Sequence, residues 1–184
     1  MAKYKNQYRV ESARLKEWDY SSPWWYYVTI NTKNHVEYFG RVVNSKMRIN
    51  EVGKVAENCW LEIPNHFANV ELDYFVIMPN HVHGIIIINP ECRDVACNVS
   101  TEQQNNFMSK ISPNKNTLSV IVRSFKSAVS KLVHQKLDNN FAWQQRYYDR
   151  IIRNEKELYH IRKYIELNPM KWELEKEMPE NLEF

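Results

Sequence analysis

The sequence predicts an α+β sandwich in which helices cover one face of a mostly antiparallel sheet. The first observation behind this prediction is the order of patterns along the chain, which runs strand, helix, two strands, helix, strand and helix. The second is a short turn, Met78-Pro79-Asn80, that joins the two middle strands into a hairpin. The third is a length of 184 residues without internal repeats, which fits one domain over residues 1–184.

Strand patterns are clearest in the first half of the chain. The run from Trp24 to Asn31 is aromatic or β-branched almost throughout, which favours a strand. Apolar runs at 70–77 and 83–88 flank the short turn and predict the two strands of the hairpin. Residues 147–152 predict one further strand near the end of the chain.

Two helices are predicted before the final one. Residues 49–61 place apolar or small side chains near a 3.6-residue period, and residues 118–137 form the clearest amphipathic pattern. The apolar stripe of this second helix consists of Leu118, Ile121, Val122, Phe125, Val129, Leu132 and Val133. Its opposite side carries Arg123, Lys126 and Lys131.

The final helix has signals at both ends. Asn154 can accept a hydrogen bond at the first turn, and Glu157 three residues later resembles a capping box. Proline disfavours helical geometry in the residue before it. Because Pro169 follows Asn168, the sequence predicts that the helix ends at Asn168.

Residues 90–116 are polar, rich in Asn, Gln and Ser, and without periodicity. This composition predicts a flexible loop that could become ordered on a ligand. No run of about 18 apolar residues occurs, so we expect no membrane partner. The odd count of three cysteines predicts free thiols, and together these observations favour a cytoplasmic, nucleoid-associated protein.

The basic residues are unevenly distributed, although the formal net charge is only +3. Between Gln103 and Leu137 six Lys or Arg residues occur and no Asp or Glu. Such a stripe suits a phosphate backbone, and an ordinary solvated helix face remains the alternative. The predicted DNA-binding residues are Arg123, Lys126 and Lys131, together with Arg14 in the basic N-terminal segment.

Two histidines, His81 and His83, stand at the start of the second hairpin strand. Side chains alternate along a strand, so these two share one face and Val82 takes the other. Two imidazoles on one rigid face can hold a divalent ion between them. A pair of histidines that only make hydrogen bonds is the alternative.

The final helix places Tyr164 and Asn168 one turn apart, so that both lie on one side of it. Tyr164 lies at the edge of the apolar stripe, where its hydroxyl is free to reach into a cleft. Considered alone, such a tyrosine is more often a packing residue with a hydrated hydroxyl.

These residues belong to an ordered series of blocks spread over most of the chain. Through them the sequence resembles the REP-associated tyrosine transposases, a group of single-tyrosine HUH transposases related to small bacterial insertion-sequence transposases. The blocks are Asp19-Tyr20-Ser21-Ser22-Pro23, Tyr26-Tyr27-Val28-Thr29-Ile30, Phe39-Gly40, Asn50-Glu51-Val52-Gly53, Val76-Ile77-Met78-Pro79-Asn80-His81-Val82-His83-Gly84, Val122-Arg123-Ser124-Phe125-Lys126-Ser127, Trp143-Gln144-Gln145-Arg146-Tyr147-Tyr148-Asp149, Ile152-Arg153-Asn154-Glu155 and Tyr164-Ile165-Glu166-Leu167-Asn168-Pro169.

The resemblance implies the HUH endonuclease fold, which is a ferredoxin-like or RRM-like sandwich. It implies that His81, His83 and Asn168 bind Mg²⁺ or Mn²⁺ and that Tyr164 is the nucleophile. The implied function is a DNA endonuclease and strand transferase that cleaves hairpin-forming single-stranded DNA through a 5′-phosphotyrosine. Some relatives are obligate dimers with shared active sites and others are monomers, so a homodimer stays open.

Other functions remain open from the sequence. A domesticated protein could bind hairpin DNA without cleaving it. An RNA-binding domain of RRM type would share the topology, but no Lys/Arg-Gly-Phe-like strand motif is present. A metal-dependent hydrolase of small molecules would use the histidines and leave Tyr164 and the basic helix unexplained.

Several roles within the implied site also stay open. Other tyrosines compete with Tyr164 as the nucleophile, although none has a metal-ligand residue type four positions later. These competitors are Tyr147, Tyr148 and Tyr159. His160, one turn before Tyr164, could act as a base or be a plain surface residue. Trp143 and Tyr147 could stack on unpaired bases or belong to the core.

Overall fold

The computed structural model describes residues 17–90 and 117–177, and in the N-terminal segment only the backbone of residues 3–4 and 7–8. Its strands are β1 (Lys3–Tyr4), β2 (Gln7–Tyr8), β3 (Trp24–Asn31), β4 (Gly40–Val43), β5 (Lys46–Ile49), β6 (Val70–Ile77), β7 (His81–Ile88) and β8 (Tyr148–Ile151). Its helices are α1 (Glu51–Leu61), α2 (Ile63–His66), α3 (Leu118–Lys136) and α4 (Glu155–Glu177), with a 3₁₀ turn at Lys33–His35.

The centre of the fold is a four-stranded antiparallel sheet with the strand order β6-β7-β3-β8. Strand β7 pairs with β3 along its whole length, from Trp24 opposite Ile88 to Asn31 opposite His81. The hairpin between β6 and β7 is closed by a hydrogen bond from the Met78 N–H to the His81 carbonyl, 2.8 Å long. The α+β class, the antiparallel sheet and the short turn are therefore confirmed.

Helices cover both faces of this sheet, so the prediction of one covered face was wrong. Helices α1 and α3 pack on one face, against Val28, Val82 and Ile86. Helix α4 packs on the other face, where Ile165 joins Tyr27, together with Ile85 and Ile87 of β7. Alternate side chains of β7 enter different cores, so both faces of the strand are buried. This two-sided burial explains why the strand ends in a continuous run of isoleucines.

Helix α4 continues through Pro169 and ends at Glu177, so the predicted end at Asn168 was wrong. Tertiary contacts hold the segment beyond the proline in place. Glu173 accepts hydrogen bonds from the backbone N–H and the hydroxyl of Ser45, at 2.6 and 2.8 Å. The ring of Trp172 lies 5.8 Å from that of His81. These contacts offset the hydrogen bond that proline cannot donate inside a helix.

Other boundaries follow the predictions with local changes. Helix α1 begins at Glu51 because residues 46–49 form β5, a strand that the sequence patterns did not predict. Helix α4 is capped as expected, since the Glu157 N–H donates to the Asn154 side chain at 2.9 Å.

Residues 91–116 lie outside the described part of the chain. The flexible loop over 90–116 and the single domain over 1–184 therefore stay predictions.

Within the described ranges, no helix combines the length and the apolar character that crossing a bilayer requires.

Gly84 lies in the middle of β7, opposite Val28 of β3 and Phe75 of β6. A Cβ atom at this position would overlap the indole ring of Trp60, which α1 holds fully buried against the sheet. The Trp60 Nε1 atom has no hydrogen-bond partner, so the ring is placed by packing alone. Glycine is therefore required here for close approach of the helix to the sheet.

We expect Gly84→Ala to lower the free energy of unfolding by about 1–3 kcal/mol, because the added methyl group overpacks the core. Urea denaturation measures this change. In a Trp60→Phe background the smaller ring leaves room, so the same substitution should cost less. Equal costs in the two backgrounds would contradict this explanation.

Candidate active site

Three of the side chains selected from the sequence meet between the sheet and α4. The ring centroids of His81 and His83 are 4.4 Å apart, and that of Tyr164 lies 5.3 Å from His83. Strand alternation points both histidines towards α4, and the packing of Ile165 against the sheet brings the preceding tyrosine over them. Asn168 is buried one turn further along the helix.

His83 is oriented by two hydroxyl groups of the neighbouring strand. Its Nδ1 atom lies 2.7 Å from the Tyr27 hydroxyl and 2.9 Å from that of Thr29, which stands directly opposite it in the ladder. Either hydroxyl oxygen can accept a proton from Nδ1, and that tautomer leaves Nε2 as a lone-pair donor.

His81 is held by the turn that precedes it. Its Nδ1 atom donates to the Asn80 side-chain oxygen at 2.7 Å, while the Asn80 amide donates to the carbonyl of His35 at 3.1 Å. The side chain of Asn168 also hydrogen-bonds the His81 ring. Strand β7 and helix α4 are therefore connected through the same imidazole.

Both imidazoles are neutral at neutral pH. Burial lowers the pKa of His81 to about 4, partly opposed by its hydrogen bond with Asn168 and reinforced by the nearby His35. Burial also lowers the pKa of His83 to about 3, with a further contribution from the charge of His81. A neutral imidazole is the form that binds a metal ion.

A metal ion between these rings would need an amide oxygen as its third protein ligand. In the described part of the chain, no three His, Cys, Asp or Glu side chains cluster in a way that could hold a metal ion. Asn168, which is 6% exposed and in contact with His81, is placed to provide that oxygen.

Tyr164 is an accessible tyrosine, within the described ranges, whose ring contacts His83 of the histidine pair. Its side chain is 40% exposed, and the Lys171 ammonium lies 5.0 Å from the centre of its ring. Tyr27, which also touches His83, is only 8% exposed, and burial raises the pKa of its hydroxyl. Tyr27 is therefore suited to orienting His83, and Tyr164 to contacting a bound molecule.

The competing tyrosines lie in three different environments. Tyr148 is 49% exposed and stands opposite Thr29, so β8 places it on the same sheet face as the histidines. Tyr147 packs against the core on the opposite face. Tyr159 is exposed on α4, with its ring 5.8 Å from that of His160, itself a surface residue.

The basic residues of α3 lie on the other side of the sheet from Tyr164. Arg123 and Lys131 are exposed there. Lys126 is half-buried, and its ammonium donates to the carbonyls of Gln144 at 2.7 Å and of Arg146 at 3.1 Å. Burial lowers the pKa of Lys126, and its two hydrogen bonds connect α3 to this loop, while the predicted DNA contacts of the α3 residues stay predictions.

Two further candidates from the sequence have different outcomes. Trp143 packs among Phe39, Phe125 and Phe141, so it is a core residue. Arg14 lies outside the described residues, and its predicted DNA contact stays a prediction.

Sequence reasoning missed the residues that support the histidines. Tyr27 and Thr29 lie on one face of β3 by strand alternation, but only the pairing register shows that they face His83. The sequence predicts that Asn80 lies in the turn, but it does not predict the hydrogen bond between Asn80 and His81. Lys171 lies beyond Asn168, the predicted end of the final helix. Its position seven residues after Tyr164 therefore did not predict a contact with that tyrosine.

Comparisons with known proteins found a sequence relative and a solved structure of similar fold. No protein-family model matches the chain. An uncharacterized protein of Haemophilus influenzae is 38% identical over 162 residues, which cover 88% of this chain and 89% of that protein. A solved REP-associated tyrosine transposase bound to a REP hairpin has a TM-score of 0.56 at 18% identity, over 89% of this chain and 74% of its own. A putative transposase from Deinococcus radiodurans has a TM-score of 0.43 at 15% identity, over 84% and 96%.

The lowered histidine pKa values predict a loss of stability in acid. In the folded state both pKa values lie below the ordinary value of 6.5, so the unfolded chain binds more protons below that pH. The two neutral imidazoles make their full contribution to the free energy of unfolding above about pH 7, and that contribution is lost as the pH falls towards the folded-state pKa values. At pH 5 the loss should reach about 2 kcal/mol per histidine.

Denaturant unfolding with a chelator at pH 7.5 and pH 5 measures this loss. His81→Ala and His83→Ala should each remove about half of the pH-dependent part, whatever their effect at pH 7.5. The exposed His160→Ala should leave it unchanged. Equal pH dependence in all four proteins would show that these two imidazoles are not its source.

Proposed function

We propose that this chain, which belongs to the same protein family as its Haemophilus influenzae relative, is a metal-dependent single-stranded DNA endonuclease and strand transferase of the tyrosine transposase class. The observation that carries the proposal is the meeting of His81, His83 and Tyr164 on one side of the sheet, with Asn168 beside them. The fold shared with a REP-associated tyrosine transposase supports it.

The residues present fit a divalent cation. Each histidine uses Nδ1 in hydrogen bonds to its neighbours, so Nε2 would be the ligand atom, and Asn168, which contacts the His81 ring, would add an amide oxygen. Both rings are neutral, so no proton competes with the cation at neutral pH. A bound Mg²⁺ or Mn²⁺ would supply Lewis-acid polarisation of the scissile phosphate and neutralise its non-bridging oxygens.

Tyr164 would carry out the covalent step. Its hydroxyl oxygen attacks the phosphorus and loses its proton, the bond from phosphorus to the 3′ oxygen breaks, and that oxygen takes up a proton. The products are a 5′-phosphotyrosine and a free 3′-OH. Since the bond energy is retained, the 3′-OH of another strand can reverse the step and rejoin DNA. Lys171 brings positive charge to the attacking group.

Hairpin-forming single-stranded DNA is the proposed substrate. The transposase of similar fold was solved with a REP hairpin, which supports this choice. His83 and Tyr164 of one chain are in ring contact, which supports a reaction within a single copy of the protein.

The nucleophile can be tested by covalent trapping. A labelled hairpin oligonucleotide incubated with the protein and Mn²⁺ should give an adduct that resists denaturing electrophoresis. We expect Tyr164→Phe to reduce the adduct roughly 1,000-fold or more, since no other group replaces a lost nucleophile efficiently. Chelation of the metal and His81→Ala/His83→Ala should have the same effect.

Matched controls come from two exposed tyrosines. Tyr159→Phe and Tyr148→Phe should still form the adduct. An adduct that survives Tyr164→Phe and disappears in Tyr148→Phe would move the nucleophile to β8. Tight hairpin binding with no adduct under either metal would instead identify a non-catalytic hairpin-binding protein.

The support of His83 by Tyr27 predicts a change in metal affinity. Tyr27→Phe removes a hydroxyl group that orients the imidazole, so Mn²⁺ should bind about 10-fold more weakly. Titration calorimetry measures this affinity. The matched control is Tyr26→Phe, because Tyr26 is adjacent in β3 and faces the opposite core. Equal Mn²⁺ affinity in wild type and Tyr27→Phe would exclude the proposed role of Tyr27.

A further inference from the structure

We propose that a basic groove between α4 and the edge strand β8 binds the backbone of the single-stranded DNA that flanks the phosphate attacked by Tyr164. This inference rests on the proposed function and adds the path of the substrate strand. The groove is defined by its cationic residues Arg150, Arg153, Lys156, Lys163 and Lys171.

The groove is an open depression of about 760 Å³ with Tyr164 in its wall. Its α4 residues recur every three or four positions, so they form one face of the helix. From Lys156 to Lys171 this face extends about 22 Å at the α-helical rise, a length that can face several consecutive phosphates. Arg150 of β8 also lines the groove.

The charge of the groove is strongly unbalanced. Its five cations are accompanied by one carboxylate, that of Glu157. This carboxylate is already used, because it accepts from the Arg150 guanidinium at 2.6 Å and from the Arg153 backbone N–H at 2.9 Å. Lys163 pairs with Glu166 on the surface, and exposed pairs of this kind contribute little and can exchange for a phosphate. An extended polyanion is the ligand that such a surface favours.

The position of the groove explains why it should hold the substrate strand and the stripe on α3 should not. Arg123 and Lys131 lie beyond the sheet from Tyr164, and Lys126 is engaged with loop carbonyls. A strand bound along α3 would have to turn around the sheet edge to reach the nucleophile. A strand in the groove passes it directly.

A second cavity favours a single strand over a duplex. At its Arg153 end the groove adjoins a depression of about 580 Å³ that shares Arg153 and Asn154 and is walled by Trp24 and Trp25. The Trp24 ring is 40% exposed. Unpaired bases can stack on such a ring, at about 1–3 kcal/mol each, whereas the bases of a duplex are already stacked on one another.

The test compares two matched double variants, each of which removes one exposed arginine and one exposed lysine. Arg153→Ala/Lys156→Ala changes the groove, and Arg123→Ala/Lys131→Ala changes α3. Both are made in a Tyr164→Phe background with a chelator, so that neither chemistry nor metal contributes. Fluorescence anisotropy of a labelled hairpin with a single-stranded tail gives the affinity as a function of salt.

We expect the groove variant to bind the tailed hairpin about 10-fold more weakly than the parent. The slope of log affinity against log salt should become shallower by about 1.4, because two phosphate contacts are lost. The α3 variant should bind the tailed hairpin with the same affinity as the Tyr164→Phe parent. The two variants should bind a duplex without a tail equally well. Equal losses in both variants, or a loss confined to the α3 variant, would overturn the proposal. Equal or tighter binding of RNA of the same sequence would overturn the assignment to DNA.

The outcome is independent of the adduct assay. Groove-dependent binding without an adduct would retain the groove and reject the chemistry. An adduct together with unchanged binding in the groove variant would retain the chemistry and reject the groove.

Discussion

The register of β7 is the constraint on which the rest of the structure depends. The strand is paired on both edges, and seven of its eight residues are buried. A slip by one residue would exchange the two faces and would drive Ile86 towards α4 and His83 into the α1–α3 core. Apolar packing of the isoleucines therefore also determines where the imidazoles lie. The candidate metal ligands gain the rigidity of a central strand, which a loop could not provide.

At the histidine pair, burial and hydrogen bonding have different effects that complement one another. Burial keeps both rings neutral, which is the state that coordination requires. Hydrogen bonds to Tyr27, Thr29 and Asn80 then orient the rings. The same helix that buries the pair leaves Tyr164 at its exposed edge. The site thus combines buried donors with an accessible hydroxyl, an arrangement suited to acting on a large substrate.

The sheet separates two basic surfaces that differ in how visible they are in the sequence. The cations of α3 stand in a segment without acids, so composition alone reveals them. The cations of the groove are interspersed with Glu155, Glu157 and Glu166, so that the local net charge is small. They become a basic surface only because the helix turns most of these carboxylates away from the groove.

Local patterns in the sequence determined the strands β3, β6 and β7, the turn between the last two, the cap of α4 and the common face of His81 and His83. Each of these follows from residue types within a few positions of one another. The tertiary structure alone decided that α4 lies on the opposite face from α3 and continues past Pro169. It also decided that Lys126 donates to the carbonyls of Gln144 and Arg146 and that Tyr27 supports His83. These features depend on contacts such as Ser45 with Glu173, whose partners are far apart in the chain and whose energies leave no trace in local periodicity.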